Sequence, residues 1–187
     1  IELKEKDLKA PDKRGKILNL LDEYILNGGF PEVVVNNLEP EIYLETLFDA
    51  ILLKDVVKRY KVKLSQNLYD LATYLVSNFT SCYTFNSLKN NLNFNSTNTI
   101  INYINYLEEA YLFFSLSQFS FKAKEIVKTP RKIYLIDNGF VKAKAFRFSE
   151  DKGKYLENFV FIELLRRKYK ANRDIFYYKT STDKEID

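Results

Sequence analysis

The chain has 187 residues, 46% of them apolar and 29% charged, with 29 Lys and Arg against 25 Asp and Glu. That length suits one sizeable domain or two small ones, and the apolar fraction excludes a disordered chain. The lack of His and the single Cys82 exclude the usual zinc and copper sites, His-dependent triads and an internal disulfide.

Cys82 is expected as a small buried apolar residue. No apolar run approaches the roughly 18 residues of a membrane span. The opening IELKEKDLKA starts at Ile1 rather than Met and lacks a signal-peptide core. The expectation is a cytoplasmic segment that has lost both its true beginning and its true end. None of the five Gly stands in a GxxxxGK[ST] phosphate loop, and any metal would have to be a hard cation held by carboxylates. The net charge of +4 is local, because residues 110–154 carry ten basic side chains against four acidic ones.

In chain order, KILNLLDEYILN reads as a helix stopped by Asn27 and Gly28. The loop GGFPE follows, with glycines suited to a close-approaching turn and Pro31 holding Phe30 out of the helical region. PEIYLETLFDAILLKDVVKRY reads as a second long helix, with Ile42, Leu44, Leu47, Phe48, Ile51, Leu52 and Val56 as its buried side. A compact three-helix pattern comes next: SQNLYDLATYLVSNF, then TFNSLKNNL capped by Thr84, then STNTIINYINYLEEAYL capped by Ser96. Two strand-like runs, LFFSLSQFSF and RKIYLID, flank a basic loop, KAKEIVKTPRK. Asp137 is expected to cap the turn that it makes with Asn138 and Gly139. Three helices and a two-stranded wing with a cationic tip are the order of a winged helix-turn-helix. VKAKAFRFSEDKGK reads as a basic linker, YLENFVFIELLRRKY as an apolar helix, and DIFYY as a strand entering a hairpin that ends in KEID.

The strings YILNGGFPEVV, YLETLFDAILLKDVVKRYKV, STNTIINYINYLEEAYLFFSL, KTPRKIYLIDNGF and KYLENFVFIELL followed by KEID occur in this order over nearly the whole chain. Together they resemble the C-terminal part of a family of archaeal and bacterial AAA-type P-loop ATPases with a domain-of-unknown-function tail. The resemblance implies a mainly α chain with α+β parts. Residues 1–64 would be a helical lid remnant, 65–137 a winged helix-turn-helix, and 138–187 a truncated restriction-endonuclease-like α/β domain of the PD-(D/E)xK kind. ATP and Mg²⁺ are implied for the full-length protein. This segment would hold neither cofactor and would have the missing ATPase core as its partner.

Two sets of site residues follow. By the same resemblance, Glu157 and Asp187 are candidate catalytic residues and candidate ligands of an incomplete Mg²⁺ site. Glu157 stands on an apolar stripe with Val160, Phe161 and Leu164, whereas Glu163 is paired at helical spacing with Arg166 and Arg167. The candidate DNA-binding residues are Lys122, Lys124, Lys128, Arg131, Lys132, Lys142 and Lys144, whose charge would meet phosphates. Asn98 and Asn102, with Asn95, Thr97 and Asn105, could bond base edges or phosphates. The third helix has no Lys or Arg and ends on the acidic pair Glu108 and Glu109. Arg59 is a candidate nucleotide sensor in the full-length protein. The aromatic residues are scattered at core spacing, which argues against a stacking platform for single strands. The leading expectation is a non-catalytic adaptor with a DNA-contacting winged helix. The alternatives are a protein-interaction module without DNA binding, and a Mg²⁺-dependent nuclease completed beyond Asp187.

Overall fold

A computed structural model describes residues 10–36, 38–146, 151–180 and 185–186. The chain is mainly helical, with a small antiparallel sheet. Helices α1 (Pro11–Asn27), α2 (Pro31–Asn36) and α3 (Pro40–Ala50) come first, and α3 runs on into wider π-helical turns over Ile51–Lys58. They are followed by α4 (Ser65–Ser77), β1 (Cys82–Tyr83), α5 (Phe85–Asn91), α6 (Thr97–Glu109), β2 (Phe113–Ser117), α7 (Ala123–Lys128) and β3 (Arg131–Leu135). The remaining elements are α8 (Gly139–Lys144), α9 (Lys152–Arg166), β4 (Tyr178–Lys179) and β5 (Glu185–Ile186).

Local chemistry accounts for most of the boundaries. Gly28 ends α1 at φ 82°, a left-handed conformation that favours glycine, and its N–H returns to the Tyr24 carbonyl. Thr84 and Ser87 exchange side-chain and backbone hydrogen bonds in a capping box at α5, and Ser96 accepts from the Asn98 N–H at α6. α4 and α6 bury Leu68, Leu71, Leu75, Ile100, Ile104 and Leu107 at the spacing of one helical face.

The sheet has the order β1-β3-β2, all antiparallel, with Cys82 opposite Lys132 and Phe113 opposite Leu135. Strand alternation divides it between two cores. Phe113, Ile133 and Leu135 face the large cluster built with α3, α4 and α6, which also takes in Phe140, Val141 and Tyr155. Leu116 and Tyr134 face the other way, onto Phe161, Ile162 and Tyr177.

Five expectations change, the first being Ile42, which was expected on the buried side of its helix and is 69% exposed. Cys82 is exposed, because in β1 it is Tyr83 that turns inward. The basic loop between β2 and β3 contains a short helix, α7. The segment taken for a basic linker begins with α8, whose Phe140, Val141 and Lys144 are buried against α3 and α4. On α9 the buried stripe is Tyr155, Asn158, Phe161 and Ile162, which leaves Val160 and Leu156 about half exposed.

Candidate functional site

β3 and α9 meet at Glu157. Lys132 and Tyr134 stand two residues apart on one face of β3, and both reach the same carboxylate oxygen. The Lys132 Nζ lies 2.6 Å from Glu157 Oε1, and the Tyr134 hydroxyl donates to that atom at 2.7 Å. Tyr134 also stacks on Phe161 with ring centroids 4.1 Å apart. A groove of about 300 Å³ opens beside this carboxylate, walled mainly by Leu156, Val160, Phe161 and Phe176.

Lys132, expected at a cationic tip, is therefore buried at 3% exposure and neutralises Glu157. Its register in the central strand puts it inside, so it does not face a DNA backbone. Asp187, the second candidate ligand, lies outside the described residues. Among the described residues no group of three or more His, Cys, Asp or Glu is placed to hold a metal. Among the described residues, Glu157 with Lys132 and Tyr134 does not by itself form the oxygen cage that Mg²⁺ requires.

Lys144 is likewise drawn inward. Its Nζ lies 2.8 Å from Asp49 Oδ1 and 3.3 Å from Glu45 Oε1, and it donates to the Tyr69 hydroxyl at 2.9 Å. Burial alone would lower its pKa, but the bonds to Asp49 and Tyr69 prevail and raise it above 10.5. Lys142 donates to Asn27 Oδ1 at 2.6 Å. Both cations thus tie α8 to α1 and α3, which withdraws them from a nucleic-acid face. Arg59 is exposed at the end of the π-helical turns.

The other candidate cations do reach the surface. Lys122, Lys124 and Lys128 are exposed along α7 and its approach. Arg131 is half-buried, with its guanidinium over the Phe85 ring at 5.1 Å. Lys128 and Arg131 line a groove of about 220 Å³ with Thr84, Asn86, Thr97 and Thr129, where the starts of α5 and α6 meet the end of α7. Asn98, Asn102 and Asn105 share the exposed side of α6, opposite its buried Ile100, Tyr103, Ile104 and Leu107. The acidic end of α6 is partly turned away. Glu108 accepts the Ser115 N–H at 2.9 Å, and burial raises its pKa even though that bond opposes the shift. Glu109 accepts from the Tyr60 hydroxyl.

The sequence reading missed a polar knot. Asn158 is fully buried and treats Leu135 as a neighbouring strand would. Its Oδ1 accepts the Leu135 N–H at 2.8 Å and its Nδ2 donates to the Leu135 carbonyl at 3.1 Å. The same Nδ2 donates to Asn138 Oδ1 at 2.8 Å, and Asn138 in turn donates to the carbonyls of Ile25 and Tyr155. Asp137 completes the knot. It caps Gly139 as expected, and its second oxygen accepts the Gly29 N–H at 2.8 Å. Burial raises the Asp137 pKa against those two bonds. A Cβ on Gly29 would come within 2.0 Å of the Tyr24 ring, which explains the glycine in GGFPE. The available signal was a lone Asn on the apolar side of a helix.

The chain belongs to a family described as a domain of unknown function, DUF8612, whose model matches residues 18–151. It is 36% identical over 174 residues to the uncharacterized protein MJ1544 of Methanocaldococcus jannaschii, a match covering 89% of this chain and 38% of that protein. It is 33% identical over 171 residues to an uncharacterized protein of Haemophilus influenzae, covering 88% of this chain and 42% of the relative. The chain thus spans about two fifths of the length of these curated relatives. No solved structure matches it. Among the described residues, no helix is long and apolar enough to cross a membrane.

Proposed function

We propose that residues 65–135 form a winged helix that contacts duplex DNA, at the adaptor end of an AAA-type P-loop ATPase whose core lies outside this chain. The observation carrying the reading is the arrangement itself: β1 between α4 and α5, β2 and β3 after α6, and the strand order β1-β3-β2. That order supports reading the segment as a winged helix-turn-helix, with α6 taken as its recognition helix. The groove at the start of α6 then supplies Lys128, Arg131 and Thr97 for phosphates, while Lys122 and Lys124 extend the cationic edge.

The adaptor part draws support from the first three helices. Leu18, Leu20, Val34, Val35 and Ile42 are all exposed there, an apolar face suited to a packed neighbour. The curated relatives are long enough to carry a further domain. In this reading the tail after α8 has a nuclease-like fold, in which Lys132 pairs with Glu157.

A protein-interaction module without DNA binding is favoured by one observation, the internal use of Lys132, Lys142 and Lys144. Titrating the chain with a labelled duplex at several salt concentrations separates the two. Four phosphate contacts predict about a 100-fold loss of affinity between 50 and 200 mM salt. Lys124→Glu with Lys128→Glu should roughly halve the slope of log affinity against log salt. Binding that is absent, or that ignores salt and this double substitution, would leave the protein-interaction module as the function.

A further inference from the structure

Two distant parts of the chain build an aromatic surface. Phe119 and Phe121 follow β2, whereas Phe176 precedes β4 and Tyr178 is its first residue. The Phe119 ring centroid lies 5.0 Å from that of Phe121, 5.8 Å from Phe176 and 6.5 Å from Tyr178. Backbone pairing fixes this arrangement. The Phe119 N–H donates to the Tyr177 carbonyl at 2.8 Å, and the Tyr177 N–H donates to the Ser117 carbonyl at 3.3 Å. Tyr177 is buried at 1% exposure, with its hydroxyl donating to the Pro130 carbonyl, so alternation sends Phe176 and Tyr178 the other way. The rings are not a core, since Phe121 is 96% exposed, Tyr178 46% and Phe119 38%.

Cations border the rings. Lys122 follows Phe121 directly, and Lys124 stands two positions further on, both exposed. α7 then runs from this surface to Lys128 in the groove at α6, a helical span of about 9 Å for its six residues.

We infer that Phe119, Phe121, Phe176 and Tyr178 are a stacking platform for unpaired nucleotides of a nucleic-acid strand. Every base offers a flat π face to such rings, and the phosphates between bases meet the neighbouring ammonium groups. An uncharged aliphatic partner would make no use of the neighbouring ammonium groups. The inference extends the DNA reading from duplex to single strands, and its test keeps the two apart.

The test compares a labelled oligothymidine with a blunt duplex by fluorescence anisotropy. Phe121→Ala should weaken the single strand roughly tenfold while changing duplex affinity less than about twofold. Phe121→Trp should retain single-strand binding, and Phe121→Leu should not. The platform is overturned if the wild-type chain ignores oligothymidine, or if Phe121→Leu binds it like wild type. It is overturned equally if Phe121→Ala merely dissolves a dimer seen by sedimentation and leaves strand binding intact. Loss of the Lys124→Glu and Lys128→Glu effect on duplex, with the Phe121 effect preserved, would overturn the duplex reading and uphold the platform.

Discussion

Residues 65–135 and the described residues of 137–158 bury their side chains by largely different means. The first segment packs Leu, Ile, Phe and Tyr at helical and strand spacing, so each element announces its inner face. The second buries Asp137, Asn138, Lys144 and Asn158, each satisfied by partners from other elements. Apolar burial needs only proximity, whereas polar burial holds only where every donor meets its acceptor. The polar segment is therefore the one that fixes how α1, α3 and α9 sit on the sheet.

The sharpest way to break this contrast is Asn158→Leu, which keeps volume but strips Leu135 of its side-chain partners. Unfolding in urea should show a loss of about 3 kcal/mol, comparable with the cost of Leu71→Ala in the apolar core. A loss under about 1 kcal/mol would mean that packing alone holds α9 in place. A smaller effect is expected at the Lys144 pair. Asp49→Ala leaves a buried ammonium short of its closest carboxylate and should cost about 2 kcal/mol, less than for a fully buried pair because Asp49 is 39% exposed. Lys144→Met keeps the stem packed and should cost less than about 1 kcal/mol. The reverse order would show that the lysine charge itself stabilises α8. Because the folded pKa of Lys144 lies above 10.5, its contribution is whole below that value and fades as pH rises through the folded pKa.

The smallest effect concerns Glu108. Its folded pKa is raised above 4.5, so its contribution to stability is whole below that pH and is lost as pH rises through the folded value. Chemical unfolding at a series of pH values upward from about 4.5 should therefore show a flatter dependence for Glu108→Gln than for wild type. Some slope should persist, since burial raises Asp137 in the same direction. An unchanged profile would place the titration elsewhere.

The same contrast decides what could be read from the residues alone. The caps at Thr84 and Ser96, the stop at Gly28 and the inner faces of α4 and α6 follow from local chemistry, and all are legible. α8 was not, because VKAKAFRF shows two lysines and no clean stripe, and its helix depends on Asp49 and Asn27 far away in sequence. Lys132 misled for the same reason. A lysine beside Arg131 and Lys128 looks like a surface cation until the register of β3 sets it against Glu157. The aromatic surface was invisible because its two halves stand more than fifty positions apart and are aligned by backbone pairing with Tyr177.

The bond between Gly29 and Asp137 joins residues 108 positions apart. At roughly 5–20 residues per second, a ribosome needs about 5–20 s to go from one to the other. Throughout that interval the helix ending at Asn27 has been made without the carboxylate that seats its turn or the asparagine that donates to its Ile25 carbonyl. α1 is thus made early and anchored late.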